Sequence, residues 1–450
     1  MGELYVSSTS HDRSTPRAKA STSRKPMTKA VVGVTLGNMV EWFDFALYSS
    51  LAGIIGKTFF HNDNPTTQLL AIYATFAAGF LIRPLGSLVF GPIGDKYGRR
   101  MALSLSISLM AVATFAIALI PSYASIGAFA PILLILMRLL QGLSTGGEYG
   151  GSCTFIAEHA PDKRRSFLTS WLEFGNISGF LLGGAVVTLF TLTLGEATMA
   201  DWGWRVPFAV GGLLGMIALY LRLGLEETPV FQQMQANEAA LKNSPAAKAG
   251  LFTLLLNEWP QLLKCMGLVT VFNVTYYIIL GYIPGYLENV LGYSNSFSLS
   301  LGMTATLFML VLIPVSGLLA DRIGRKAMII AGCALLIVLA IPCFMLLHSQ
   351  SLPLLLAAML TLTLAQLFFE GAMPATLTSL FGSRVRFSAL AISYNVAVSL
   401  FGGTAPLINT WLINATGNQM IPAWYLIAGG VVGLISVLFV KDSTGKPLPQ

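Results

Sequence analysis

Long apolar segments follow one another along the chain from about residue 31 to residue 440. A helix needs about 20 mostly apolar residues to cross the hydrocarbon core of a bilayer. These segments lack the period-2 alternation of strands, and a backbone in lipid must satisfy its own hydrogen bonds, so they are predicted to be helices. Twelve membrane spans, numbered 1 to 12, are predicted at 31–56, 67–93, 101–120, 127–158, 166–193, 204–222, 260–288, 297–319, 327–347, 351–380, 387–414 and 420–440.

The composition supports the same fold class. Of the 450 residues, 54% are hydrophobic and only 10% are charged, whereas soluble domains carry roughly 25% charged residues. We therefore predict an all-α polytopic membrane protein that lies in the lipid bilayer.

The basic residues are concentrated on one side of the predicted membrane. Of 27 lysines and arginines, 23 fall in the terminal tails or in and beside the loops that follow even-numbered spans, and only Lys57 and Arg205 fall on the other side. Cytoplasmic segments of membrane proteins carry such an excess. We expect both termini in the cytoplasm and the protein in the plasma (inner) membrane. The net charge of +7 is thus a topology signal, and it does not indicate nucleic-acid binding.

An internal repeat divides the chain. The segment "GPIGDKYGRR" (91–100) returns as "GLLADRIGRK" (317–326), each after the second span of a six-span set. Parallel repeats of this kind are typical of transporters. The predicted units are a cytoplasmic tail, an N-terminal six-helix half, a cytoplasmic inter-half loop, a C-terminal six-helix half and a short cytoplasmic tail, at 1–29, 30–222, 223–259, 260–440 and 441–450.

The repeated motif resembles the signature of the major facilitator superfamily. The segments "GNMVEWFDF", "FLIRPLGSLVFG", "RLLQGLSTGGEYGG" and "WGWRVPF" are similar to the metabolite:proton symporter family. Within that family, "LEETPVFQQ", "SWLEFGNISGFLLG" and "NVTYYIILGYIPGYL" most resemble the proline/glycine betaine transporters. The resemblance implies proton-coupled uptake of a small zwitterionic osmolyte by alternating access, by a monomer that uses no cofactor. Two alternatives stay open, a proton symporter of a di- or tricarboxylate and a transporter-like sensor.

Charged residues inside spans are rare and usually face a cavity or a partner. In span 1, Glu41 and Asp44 share a helix face, and a polar line along span 4 includes Arg138 and Glu148. Burial favours proton uptake by carboxylates, so these residues are candidates for coupling. A purely structural pairing of Glu41 and Asp44 with Arg138, and a structural hydrogen-bonding role for Glu148, are the alternatives. The candidate substrate- or proton-binding residues are Asn38, Glu41, Asp44, Tyr48, Arg138, Gln141, Glu148, Glu173, Asn273, Tyr276 and Tyr277.

The charges inside the spans favour a zwitterionic substrate. Arg138 is the strongest candidate to bind a substrate carboxylate, while Arg83 is expected near the cytoplasmic end as a structural neighbour of the repeat loop. A di- or tricarboxylate would need more cations than these. Aromatic residues such as Trp42, Tyr276 and Tyr277 offer faces for an ammonium group, although ordinary packing explains most of them equally well.

The repeated loops suggest a gate. We expect Asp95 and Asp321 to pair across the two halves and hold the cytoplasmic side shut, with Arg99 and Arg325 enforcing topology or sharing in the gate. The glycines of span 4 are expected to permit close helix packing.

An enzyme is not predicted. The four histidines lie far apart, and the four cysteines lack metal-ligand spacing, so neither a catalytic triad nor a metal site is indicated.

Overall fold

A computed structural model of the chain describes residues 24–60, 74–75, 77–240 and 255–449. Most of the predicted N-terminal tail and the middle of the inter-half loop lie outside these residues. The described part contains twelve helices long and apolar enough to cross a membrane, which confirms the predicted fold class. They are Met27–Ser50, Ala77–Tyr97, Arg99–Leu119, Phe129–His159, Asp162–Leu194, Arg205–Leu223, Trp259–Asn289, Ser296–Ile323, Arg325–Leu347, Leu352–Thr378, Arg386–Thr416 and Ile421–Leu438.

The helix ends at the repeated motif differ from the prediction for a clear physical reason. Spans 2 and 8 continue through the repeated motif as far as Tyr97 and Ile323. Each then stops at a glycine with positive φ, 114° at Gly98 and 112° at Gly324, a conformation that costs other residues energy. Hydropathy marks the part of a helix inside lipid, so the polar turns beyond the bilayer escaped the prediction.

The helices pack in a pattern that repeats between the two six-span sets. Span 1 packs against span 5, and span 3 against spans 4 and 6. In the second set, span 7 packs against span 11, and span 9 against spans 10 and 12. Between the sets, span 2 packs against span 11 and span 5 against span 8. We call the end of the bundle with the loops after even-numbered spans the basic face.

Spans 2 and 4 approach closely because glycine stands at their contact. A Cβ atom on Gly142 would lie 2.1 Å from the Gly79 carbonyl oxygen, and one on Gly146 would lie 2.3 Å from the Arg83 carbonyl oxygen. The structure thus agrees with the packing role expected for the span 4 glycines.

Candidate substrate and proton site

Asp44 and Arg138 form a buried ion pair. Arg138 Nη1 lies 2.9 Å from Asp44 Oδ2, and the Arg138 guanidinium lies 4.0 Å from the ring centre of Tyr48. Gln141 and Thr114 donate hydrogen bonds of 2.8 and 2.9 Å to Asp44 Oδ1. This arrangement matches the structural alternative for Arg138, because the Asp44 carboxylate already balances its charge.

Glu148 is engaged in a second ion pair, which the sequence did not predict. Arg222 of span 6 donates through both Nη atoms to the Glu148 carboxylate, and Ser106 of span 3 donates a hydrogen bond of 2.6 Å to it. The contacts tie spans 3, 4 and 6 together and favour the structural alternative for Glu148.

Glycine at position 37 makes room for the second ion pair. A Cβ atom there would lie 1.8 Å from Arg222 Nη2. Gly37→Ala should therefore displace Arg222 and lower the thermal stability of the purified protein, since breaking a buried pair costs about 3–5 kcal/mol. Gly53→Ala is the matched control, because nothing lies within 4 Å of its added Cβ. Equal melting temperatures for the two variants would contradict this reading.

Glu41 lies one helical turn from Asp44 in a different environment. Its side chain is 5% exposed, and in the described chain it forms no ion pair. Its electrostatic neighbours include Arg83 of span 2, and Thr145 of span 4 hydrogen-bonds to it. Of the two span 1 carboxylates, Glu41 is thus the one that has no ion-pair partner among the described residues.

Five aromatic residues form a closed ring of contacts between the two sets of spans. Successive ring centres are 5.7 Å apart for Trp42–Phe45 and Phe45–Phe80, 6.1 Å for Phe80–Tyr277, 5.6 Å for Tyr277–Tyr276 and 5.4 Å for Tyr276–Trp42. We call these residues the aromatic cage. Spans 1, 2 and 7 contribute to it, so both six-span sets build the cage.

Arg83 lies at the aromatic cage, contrary to the expected place beside the repeat loop. Its guanidinium carbon is 4.0 Å from the ring centre of Phe80 and 4.9 Å from that of Phe45. The side chain is 3% exposed, and within the described chain its Nε and Nη2 atoms have no hydrogen-bond partner. The expectation failed because span 2 continues to Tyr97, which places Arg83 about 21 Å from the basic-face end of that helix.

Asn38 and Glu173 belong to a hydrogen-bonded chain that joins spans 1, 4 and 5. Asn38 donates to Asn176 over 2.7 Å, and Asn176 donates to Glu173 over 2.7 Å. Tyr149 donates to the other Glu173 oxygen over 2.6 Å. The predicted residue Asn273 lies apart from this chain, with its amide nitrogen bonded to the carbonyl oxygen of Val269 in its own helix.

The two motif aspartates each contact the other six-span set. Asp95 accepts hydrogen bonds of 3.2 and 2.9 Å from the backbone N–H groups of Phe387 and Ser388, at the start of span 11. In the same way, Asp321 accepts bonds of 2.9 Å from Ser166 and Phe167 near the start of span 5. Carboxylates stabilise helix N-termini. The contacts across the halves agree with the expected gate, whose effect on transport stays a prediction.

A buried glutamate that the sequence prediction missed reinforces the closure at Asp95. Glu158 Oε1 lies 2.6 Å from Arg386 Nη1, and Glu158 Oε2 lies 3.4 Å from Arg99 Nε. Arg99 also donates a 2.5 Å hydrogen bond to the Ser383 carbonyl oxygen. Glu158 stands at the end of span 4, where the sequence prediction considered only the basic residues of the following loop.

The equivalent place in the second half lacks a carboxylate. Counted back from the capped helix starts, Ser379 corresponds to Glu158. Here the C-terminal tail contacts the arginines. The backbone N–H of Arg325 donates a hydrogen bond of 2.9 Å to Thr444 Oγ1, and Arg165 Nη1 donates one of 2.9 Å to the Lys446 carbonyl oxygen. The contacts around Asp95 and Asp321 therefore share the capping aspartate. They differ in how the neighbouring arginines are bound, by a buried carboxylate at one and by the C-terminal tail at the other.

Comparisons with known proteins agree with this architecture. A family profile described as "Sugar (and other) transporter" matches residues 29–450. The "Proline/betaine transporter" of Escherichia coli (strain K12) is 44% identical over 427 residues, which cover 94% of this chain and 85% of that protein. The "Glycine betaine/proline/ectoine/pipecolic acid transporter OusA" of Dickeya dadantii (strain 3937) is 43% identical over 427 residues, with the same two coverages.

The fold is also found among solved structures. A structure of the proton:xylose symporter XylE, a major facilitator superfamily protein, superposes with a TM-score of 0.75. The two chains are 20% identical, and the match covers 94% of this chain and 98% of that one. These matches confirm the superfamily that the repeated motif predicted. The chain belongs to the sugar (and other) transporter family of the major facilitator superfamily.

Proposed function

We propose that the protein takes up a small zwitterionic osmolyte such as proline or glycine betaine, together with protons, by alternating access. The relatives named above are transporters of such compounds. The structural observation that carries the proposal is the aromatic cage with Arg83 beside it, because it offers complementary groups for both ends of a zwitterion. In this proposal the protein works as a monomer, needs no cofactor and moves its substrate chemically unchanged.

The carboxylate of the substrate is assigned to Arg83. Its Nε and Nη2 atoms lack partners within the described chain, and a guanidinium binds a carboxylate through strong charge-assisted hydrogen bonds. Arg138 and Arg222 are already paired with Asp44 and Glu148. A multiply charged anion would therefore find one available cation here, which disfavours the di- and tricarboxylate alternative.

The ammonium end of the substrate is assigned to the aromatic faces. A quaternary ammonium group is attracted to the faces of tryptophan and tyrosine rings. Trp42, Tyr276 and Tyr277 complete the aromatic cage next to the two phenylalanine rings that Arg83 covers. Arg83 also hydrogen-bonds to Tyr277. Glu41 adds a carboxylate near Arg83, so both charges of a zwitterion have a counterpart within one site.

The aromatic cage also gives a reason for substrate to bias the conformational change. Its residues come from spans 1 and 2 on one side and from span 7 on the other. A ligand that contacts both sets stabilises the state in which they approach each other, and this differential binding drives a population shift.

Competition measurements test the proposed substrate class. With purified protein in liposomes, excess unlabelled betaine should block uptake of labelled proline, whereas α-ketoglutarate and citrate should leave it unchanged. Inhibition by a dicarboxylate with none by betaine would support the carboxylate alternative. Binding of betaine without any uptake would support a sensor.

We further propose that the protein lies in the plasma (inner) membrane with the basic face towards the cytoplasm. In a background without the native cysteines, Lys441→Cys in the tail after span 12 should resist an impermeant thiol reagent in intact cells. Asn418→Cys, in the turn between spans 11 and 12, should react. Both positions are exposed in the structure, so labelling at 441 and protection at 418 would reverse the proposed orientation.

A further inference from the structure

Glu173 of span 5 and Glu370 of span 10 lie at the same depth on the two sides of the boundary between the halves. Both are buried, with 2% and 0% exposure. The α-helical part of span 5 begins at Arg165, after a 3-10 turn at Asp162–Arg164, and Glu173 follows that start by eight residues. Glu370 precedes the end of span 10 at Thr378 by eight residues. At ~1.5 Å per residue, each lies about 12 Å from the basic face.

The helix faces that carry these two carboxylates point towards each other. Ile177, one turn after Glu173, and Leu367, three residues before Glu370, belong to one buried cluster with residues of span 8. Residues three or four apart share a helix face, so the glutamates lie on the faces that meet in this cluster. Electrostatic repulsion from Glu173 accordingly acts on Glu370.

Neither carboxylate forms an ion pair within the described chain. Glu173 accepts hydrogen bonds on both oxygens, from Tyr149 and Asn176. Glu370 accepts one bond of 2.6 Å from Gln366, and its Oε2 atom has no partner in that part of the chain. Two neighbouring carboxylates without a cation do not both stay ionised, and the unpartnered oxygen marks Glu370 as the protonated member.

No cationic side chain among the described neighbours opposes this assignment. The titratable groups that face the two carboxylates come from spans 4, 7 and 11, and each is neutral in its protonated form. They are Tyr149, Cys153, Tyr276 and Tyr394.

We propose that Glu173 and Glu370 form an inter-half carboxyl pair that carries the coupling proton. With the basic face closed, the pair holds one proton, on Glu370. When the halves separate at that face, water solvates each carboxyl group and the repulsion from Glu173 ends. The Glu370 carboxyl group then transfers its proton to water on the cytoplasmic side. This inference rests on the proposed function, because it assigns a site for the proton in that symport cycle.

The pair differs from the Asp44–Arg138 ion pair in its relation to the conformational change. Asp44 and Arg138 both belong to the first six spans, so separating the halves leaves them together. Glu173 and Glu370 belong to different sets and packed helices, so the same movement changes the distance between them. The free energy of protonating the pair depends on that distance. Protonation is therefore coupled directly to the opening of the basic face.

Glu370→Gln and Glu173→Gln test the proposal in proteoliposomes. Accumulation of labelled betaine driven by a pH gradient should fall at least about tenfold in either variant, in line with typical coupling free energies between ligand sites. Counterflow between equal betaine pools needs no net proton movement and should persist. Glu196→Gln is the matched control, because Glu196 is exposed. Full gradient-driven accumulation in both variants, or equal loss of counterflow and accumulation, would overturn the proposal.

A second measurement is independent of substrate. At neutral pH the wild-type protein should show the infrared carbonyl band of a buried protonated carboxyl group, and Glu370→Gln should remove it while Glu196→Gln keeps it. An unchanged band in Glu370→Gln would overturn the assignment.

Absence of proline or betaine counterflow in the wild type contradicts the proposed function alone, and the infrared comparison still decides whether the carboxyl pair holds a proton. If Glu370→Gln fails to fold, Glu173→Gln is used for the transport and the infrared measurements instead. This variant removes the carboxylate whose repulsion favours the protonated form of Glu370.

Discussion

Arg83→Gln should weaken the binding of betaine and proline by roughly 30-fold or more, because truncating one partner of a buried hydrogen-bonded charge pair costs about 2–5 kcal/mol. The expected loss is one of affinity, measured by isothermal titration or by the concentration dependence of counterflow. Thermal stability should change little, since no carboxylate in the described chain is paired with Arg83.

Three further variants separate the roles of the arginines. Arg83→Lys keeps the charge and loses the planar fork, so it should recover only part of the affinity. Arg322→Gln is the matched control, because Arg322 is exposed. Arg138→Gln should instead lower the thermal stability, since it leaves the buried Asp44 carboxylate without its cation. Unchanged affinity in Arg83→Gln, with a loss in Arg138→Gln at full stability, would transfer the substrate carboxylate to Arg138.

The contrast between these two arginines shows what the sequence could and could not predict. Hydropathy and charge bias predicted all twelve spans, because burial in lipid restricts composition so strongly. Helical periodicity placed Asp44 and Arg138 on polar helix faces, and these two residues do meet. The partner of a polar residue, however, depends on how helices shift and rotate against each other. Arg83 was misplaced because its helix extends beyond the apolar segment that predicted it.

The sequence prediction also failed for charged residues at the ends of helices. Arg222 was counted only among the basic residues that indicate topology, and Glu158 was not singled out, yet both are buried in ion pairs, with exposures of 0% and 7%. The aspartates of the repeated motif were found because they recur in both halves. Glu158 is not repeated in the second half, because Ser379 occupies the equivalent position. The internal repeat therefore could not reveal it.

Glu158→Gln should open the basic face and destabilise the closed state. The change leaves Arg99 and Arg386, both 0% exposed, without the carboxylate that lies between them. Removing one partner of a buried pair costs about 3–5 kcal/mol. Asp95, whose Oδ1 lies 3.5 Å from Arg99 Nη2, compensates only one of the two guanidinium groups. The melting temperature should therefore fall, and the conformational equilibrium should move towards states in which the two halves separate at this face.

Cys153, buried at 0% exposure in span 4, reports on that opening. With the other cysteines replaced by alanine, N-ethylmaleimide should modify Cys153 at least about tenfold faster in Glu158→Gln than in the parent, because each 1.4 kcal/mol changes the open population tenfold. Ser379→Ala alters the equivalent position without a charge and should leave the rate unchanged. Adding Arg386→Gln to Glu158→Gln removes the second unbalanced cation, and Asp95 then suffices for Arg99. The double variant should therefore regain part of the protection, whereas additive losses would show that Glu158 holds the face closed by some means other than pairing these arginines.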